Sequence, residues 1–234
     1  MIVKRKGTDP GTCYPDFLMD ILESSIVVKF SDSTRQIENK VVMIRHDVDM
    51  SLNHALKFAS VESMMGIHST YFLLHTAKYF DYSKTFLGKC ERLLDMGHDV
   101  GIHVDMQLNK TPMSFLPKPL RFLRKHGIPV NGASLHGSRK TKRETGIDTM
   151  KMWSDDFLEP LGLEYEAYHI RGDAYLSDCG SKWLGFVSPE GDTFANMQEY
   201  PNLELGVIQI FSEMTHGTMQ ILIHPYWWDY GKTV

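Results

Sequence analysis

Between Val41 and Pro160 the chain repeats one pattern four times, a short aliphatic run followed by a longer amphipathic one. Val41–Ile44 predicts a buried strand. Ser51–Met65 follows it, with Leu52, Ala55, Leu56, Ala59 and Met64 at helical spacing, Ser51 as N-cap and Gly66 as the stop. "STYFLL" (Ser69–Leu74) precedes a predicted helix over Ser83–Met96, whose Phe86, Leu87, Cys90, Leu93 and Leu94 share a face. "HDVGIHV" predicts a third strand, and Ser114–His126 a helix whose start is blurred by Pro117 and Pro119. "VNGASLHG" predicts a fourth, with a helix over Ile147–Leu158 stopped by Pro160. Further on, "LEYEAYHI", "DAYLSD" and "TMQILIH" read as strands, while Leu203–Met214 is apolar enough for either state. Strand followed by helix is the signature of a parallel sheet covered by helices. An open doubly wound sheet and a closed β/α barrel both fit, and in both the functional residues collect at the carboxyl ends of the strands.

No internal repeat, low-complexity tract or Gly/Ser linker interrupts the 234 residues, which favours one domain. A hydrophobic content of 42% suits a soluble globular protein with a sizeable core. The net charge is −4 and Lys and Arg are scattered, "SRKTKRE" (Ser138–Glu144) being the nearest approach to a basic cluster, so a nucleic-acid partner is not expected. No run approaches membrane-spanning length, and "MIVKRKGTDPGTCYPD" carries no apolar stretch of the secretory kind. Cys13, Cys90 and Cys179 are odd in number and widely spaced, so no disulfide framework is expected and a cytoplasmic location is.

The strand ends gather the chemistry. "VVMIRHDVDMSL" (Val41–Leu52) passes from four aliphatics into Arg45, His46, Asp47 and Asp49. In extended chain Arg45, Asp47 and Asp49 share a face while His46 and Val48 point the other way. Two carboxylates on one face repel unless a cation lies between them or one stays protonated. His75, His103 with Asp105, His136, Asp178 and His224 end the other strands. Imidazoles from His103 and His136 with a carboxylate suit zinc or a similar first-row ion. Each feature also has a plainer reading: Asp49 as a helix cap, His103–Asp105 as a turn pair, His136 as a turn histidine, and His224 as a satisfied histidine under Tyr226, Trp227 and Trp228. Their convergence favours a site.

The segments "IRHDVDMSLNHALKFASVESMMGIHSTYFLL", "LLDMGHDVGIHVD", "ASLHG", "YLSDCGSKW" and "ILIHPYWW" resemble, in order, the motifs of the polysaccharide deacetylase family (carbohydrate esterase family 4, the NodB-homology domain), nearest to its subgroup with an RHDVD first motif. The resemblance spans about Val41–Trp228 and implies a deformed β/α barrel over 41–234, with 1–40 packed on it as an N-terminal segment. It implies metal-dependent removal of an N- or O-acetyl group from a sugar. Asp47 then matches the catalytic base, Asp49 a metal ligand, His103 the first metal histidine and His224 the general acid; Asp178 and Trp183 match supporting positions. Arg45 would hold Asp47, Asp105 would support the site, and Tyr226, Trp227 and Trp228 would form a substrate wall. This sequence departs from the family in three places. Val48 separates the two aspartates, which are adjacent in the family; Gln107 stands where the second metal histidine belongs, so His136 is the expected replacement; and the third motif's Arg–Pro–Tyr is absent.

The expected activity is therefore a zinc-dependent carbohydrate deacetylase acting on a precursor of a surface polysaccharide such as a lipopolysaccharide. Two alternatives keep the same fold: a hydrolase of a small amide or cyclic ureide, and a non-catalytic carbohydrate-binding relative.

Overall fold

The computed structural model describes residues 3–5, 13–32, 40–137, 139–170, 172–179, 183–187, 197–201, 203–214 and 217–230. The elements run β1 (Val3–Arg5), α1 (Tyr14–Ser24), β2 (Ile26–Val28), β3 (Lys40–Val48), α2 (Leu52–Met64), β4 (Thr70–Leu74), α3 (Lys84–Asp95), β5 (Asp99–Val104), α4 (Pro112–Phe115), α5 (Pro117–Lys125) and β6 (Gly132–Leu135). They continue as α6 (Arg139–Thr145), α7 (Leu158–Leu161), β7 (Tyr165–Glu166), β8 (Ala174–Ser177), β9 (Trp183–Val187), β10 (Gln198–Tyr200), α8 (Leu203–Glu213), β11 (Gly217–Ile223) and β12 (Trp228–Tyr230).

The caps act where the sequence puts them. Ser51 Oγ accepts the His54 N–H at the start of α2, and Ser83 Oγ accepts the Phe86 N–H at the start of α3. Gly66 and Gly97 end these helices with left-handed backbone, which a Cβ would penalise. The predicted helix over Ser114–His126 is broken in two, with Pro117 opening α5. The predicted helix over Ile147–Leu158 does not form. Asp148 and Ser154 instead accept the N–H groups of Met150 and Asp156, and those local bonds divert the chain into 3₁₀ turns at Thr149–Met152 and Asp155–Phe157. "LEYEAYHI" shrinks to the two residues of β7 for a similar reason: the Glu166 carboxylate accepts the Tyr168 and His169 N–H groups and bends the chain into a turn.

The main sheet runs β10-β9-β8-β11-β3-β4-β5-β6-β7, parallel from β8 to β7, with β9 and β10 added antiparallel. β2 pairs with Val41–Met43 of β3, where β4 does not reach, because β4 begins its pairing at Arg45. β1 and β12 form a separate antiparallel pair. The main sheet is curled into a barrel that ladder bonds leave open between β7 and β8. Gln220 of β11 donates to Ala167 O and Ile170 O, just beyond β7, at 2.7 and 2.6 Å. Strands five places apart in the ladder meet in this way only when the sheet closes on itself. This is the deformed β/α barrel.

Alternation then sorts the side chains. Val42, Ile44, His46 and Val48 face the helices, and Met43, Arg45 and Asp47 face the lumen. Phe30, Met43, Phe72 and Ala167 fill the lumen near the strand starts. Gly101 and Gly132 make that packing possible, since a Cβ there would lie 2.4 Å from Phe72 and 2.2 Å from Tyr165. Above this apolar layer the lumen is polar.

Candidate metal centre

The polar layer begins with Arg45, which is fully buried. Its guanidinium lies 4.1 Å from the centre of the Tyr168 ring, and Nη2 donates to Asp47 Oδ2 at 2.8 Å and to Ser134 Oγ at 2.7 Å. Ser134 Oγ in turn donates to Asp47 Oδ1 at 3.2 Å. Burial works against the charge on both partners of the ion pair and is outweighed. Asp47 holds Arg45 protonated; Arg45, then His103 and His224, hold the Asp47 carboxyl below the usual carboxylate range.

Two residues after Asp47, Asp49 stands past the end of β3. Ser51 caps α2, so Asp49 is left to another task. Its Oδ1 lies 3.3 Å from His103 Nε2 and 3.5 Å from His136 Nδ1, and the two imidazole nitrogens are 3.1 Å apart. His103 Nδ1 donates to Ser134 O at 2.9 Å, which fixes the tautomer and turns the Nε2 lone pair toward Asp49 and His136. Asp49 Oδ1 is buried and, among the described residues, has no hydrogen-bond partner.

This donor set fits a divalent ion. Bonds of about 2.0–2.1 Å in a tetrahedron put neighbouring ligands about 3.3–3.4 Å apart, close to the three separations here. A carboxylate with two imidazoles is zinc-type chemistry, and a His ligand held through its other nitrogen by a backbone carbonyl is the usual supporting arrangement. Burial raises the Asp49 carboxyl, but the surrounding imidazoles outweigh it and hold the group well below the ordinary carboxylate range.

His224 follows β11 and forms a second pair. Its Nδ1 donates to Asp178 Oδ1 at 2.6 Å, and its backbone N–H to Asp178 Oδ2 at 3.0 Å. Trp228 Nε1 donates to the same Oδ2 at 3.3 Å. His224 Nε2 points toward Asp49, 3.9 Å from Oδ2. Burial works against the imidazolium, yet Asp178 outweighs it and pushes the pKa up to about 9. The His224 ring stacks on Trp227 at 4.3 Å.

The structure brings Arg45, Asp47, Asp49, His103, His136, His224 and Asp178 together from β3, β5, β6, β8 and β11. Other expected positions lie elsewhere. Trp228 is fully buried against Tyr14, Phe58 and Trp183, so it braces Asp178 from behind and forms no substrate wall. Trp183 is likewise buried and packs against Trp228. Tyr226 is exposed and packs edge-on against His54. Asp105 is not one of the three metal-type donors; its Oδ2 accepts from Thr76 and its carbonyl oxygen lies 3.3 Å from His75 Nε2. His75 stacks on Phe115 and stays outside the donor set. Gln107 accepts from Lys110 Nζ, and His136 takes the place beside His103. Gly180–Lys182 of "YLSDCGSKW" and Ser138 of the basic cluster lie outside the described residues.

Sequence reasoning missed Ser134, and it missed a buried cluster around Glu62. The Glu62 carboxylate accepts from Tyr14, from Tyr71 at 2.6 Å and from His46 at 2.7 Å, with His98 Nδ1 3.7 Å away. Burial opposes its charge, but His46, then His98 and the Tyr14 hydroxyl, lower its pKa to about 2. The signal was present: Glu62 follows Ala55 and Ala59 on the apolar face of α2.

No family model and no curated protein matches the sequence. Among solved structures, a Streptococcus mutans CE4 esterase superposes with a TM-score of 0.52 at 15% identity, over 85% of this chain and 80% of that one. A CE4 family pseudoenzyme from Bacillus anthracis gives 0.48 at 14% identity, over 92% of this chain and 62% of that one. A family 4 carbohydrate esterase from Bacillus anthracis gives 0.44 at 12% identity, over 95% of this chain and 82% of that one. The fold is that of the first of these, the CE4 esterase.

Proposed function

We propose that this chain is a metal-dependent hydrolase that removes the acetyl group from an acetylated amino sugar. The carrying observation is the convergence of Asp49, His103 and His136 between the Asp47 carboxylate, paired to Arg45, and the His224 imidazole, paired to Asp178. The CE4 esterase fold supports the same reading.

Asp49, His103 and His136 would hold the ion through Oδ1, Nε2 and Nδ1. When bound there, a zinc ion supplies Lewis acidity toward an acyl carbonyl oxygen and lowers the pKa of water, to about 7 in favourable sites. Asp47 lies 3.6 Å from His103 Nε2 and is kept ionised by Arg45, so it takes a proton from the attacking water. The water oxygen bonds to the acyl carbon and the C–N bond breaks. His224, its Nδ1–H committed to Asp178, gives its Nε2 proton to the departing nitrogen, leaving acetate and a free amino sugar. Trp227, stacked on His224 and half-buried, walls that side of the site.

The test is acetate release from N-acetylated and O-acetylated sugars by metal-stripped protein reloaded with zinc. Acetate formed in step with zinc occupancy is expected; none at any loading overturns the reading. Turnover of a small amide or cyclic ureide in place of the sugars would move the reading to that substrate class.

A further inference from the structure

We infer that Ser134 is a positioning residue that holds Asp47 at its working distance from His103; the inference rests on the hydrolase reading above. Ser134 is fully buried on β6, three strands along the ladder from Asp47 on β3, so its hydroxyl reaches Asp47 across the barrel lumen. Its two polar groups do different work. The carbonyl fixes the imidazole of His103, its register partner on β5. The hydroxyl has one proton, which goes to Asp47 Oδ1, and a lone pair that takes the Arg45 Nη2–H. Arg45, Asp47 and Ser134 thus form a closed triangle in which each member bonds the other two. One residue therefore sets the base and a metal ligand relative to each other, leaving Asp47 Oδ2 3.6 Å from His103 Nε2.

The hydroxyl and the carbonyl can be separated by substitution. Ser134→Ala removes the first and keeps the second. Asp47 Oδ1 then loses its Ser134 donor, and Arg45 Nη2 keeps Asp47 of its two acceptors, while Arg45 Nε and Nη1 have no hydrogen-bond partner among the described residues to compensate. The carboxylate is expected to swing away while His103 stays.

The experiment compares wild type, Ser134→Ala and Ser134→Thr in three measurements. These are zinc affinity by competition with a chromophoric chelator, kcat and KM for an acetylated amino sugar, and crystal structures of the zinc-loaded proteins. For Ser134→Ala, zinc affinity should change by less than the about tenfold that loss of a ligand-orienting partner causes. Its kcat should fall on the order of 100-fold, as misplacing a reacting group does, with KM little changed. Its Asp47 carboxylate should be displaced in the crystal. Ser134→Thr, which keeps the hydroxyl, should recover most of the kcat. Unchanged kcat with Asp47 in its original place overturns the inference, and so does a loss of zinc affinity that parallels the loss of kcat. If the wild type releases no acetate, the hydrolase reading fails; the position of Asp47 in the Ser134→Ala crystal still decides whether Ser134 holds it.

Discussion

Val48 shows how much one residue can decide. Its side chain packs into the core outside the barrel, and by occupying the outward position it returns the chain to the inner face, so Asp47 and Asp49 both address the lumen end. Adjacent aspartates on extended chain would point to opposite faces. The same economy appears at the third donor, where His136, just past the end of the neighbouring strand β6, stands beside His103 and Gln107 turns to Lys110. His136→Ala should therefore weaken zinc binding by more than the about 10–100-fold typical of an outer-shell loss, while Gln107→Ala leaves it unchanged, as chelator competition would show. Asp178 is the main support for the charge on His224, whose pKa it helps push up to about 9. An acid must be protonated to act, so activity should be lost as pH rises through that value. Asp178→Asn should move the alkaline limb of the kcat–pH profile to lower pH; an unmoved limb would remove His224 from the acid role. The strand-end residues were legible because strand polarity fixes where they collect. Ser134 was not, because a serine inside an aliphatic run gives no sign of what lies across the lumen.

α2 carries the clearest conflict between local pattern and burial. Glu62 sits on its apolar face and is satisfied only because α1, β3 and β4 send Tyr14, His46 and Tyr71 to it. A carboxyl depressed from 4.5 to about 2 contributes stability that is present above its unfolded value and lost as pH falls toward the folded one. Unfolding free energy should therefore drop between pH 4.5 and about 2. Glu62→Gln should flatten that drop and cost on the order of 3 kcal/mol at neutral pH, measured by urea denaturation across the pH range. The inner strands make a second prediction. Gly132→Ala places a Cβ 2.2 Å from the Tyr165 ring, so overpacking should cost about 1–3 kcal/mol in the same assay. The helices α2 and α3 were legible from caps and spacing. The region after Ile147 was not, because Asp148 and Ser154 compete locally for backbone N–H groups that a helix would otherwise use.

For the molecule as a whole, alternation of strand and helix left two architectures open, and only closure distinguishes them. Gln220 reaching Ala167 and Ile170 is that closure, a contact between distant segments that no local window contains. The antiparallel β9 and β10 and the β1–β12 pair were equally invisible, since each depends on where separate stretches of chain arrive. The curl of the same sheet brings the ends of β3, β5 and β6 toward one another, where Asp49, His103 and His136 meet. Whether they meet around an ion is most directly measured by anomalous scattering at the zinc edge from crystals of zinc-loaded protein. One peak bonded to Asp49 Oδ1, His103 Nε2 and His136 Nδ1 is predicted; a lumen mouth with no peak among those atoms, or a peak held by other residues, would contradict the account.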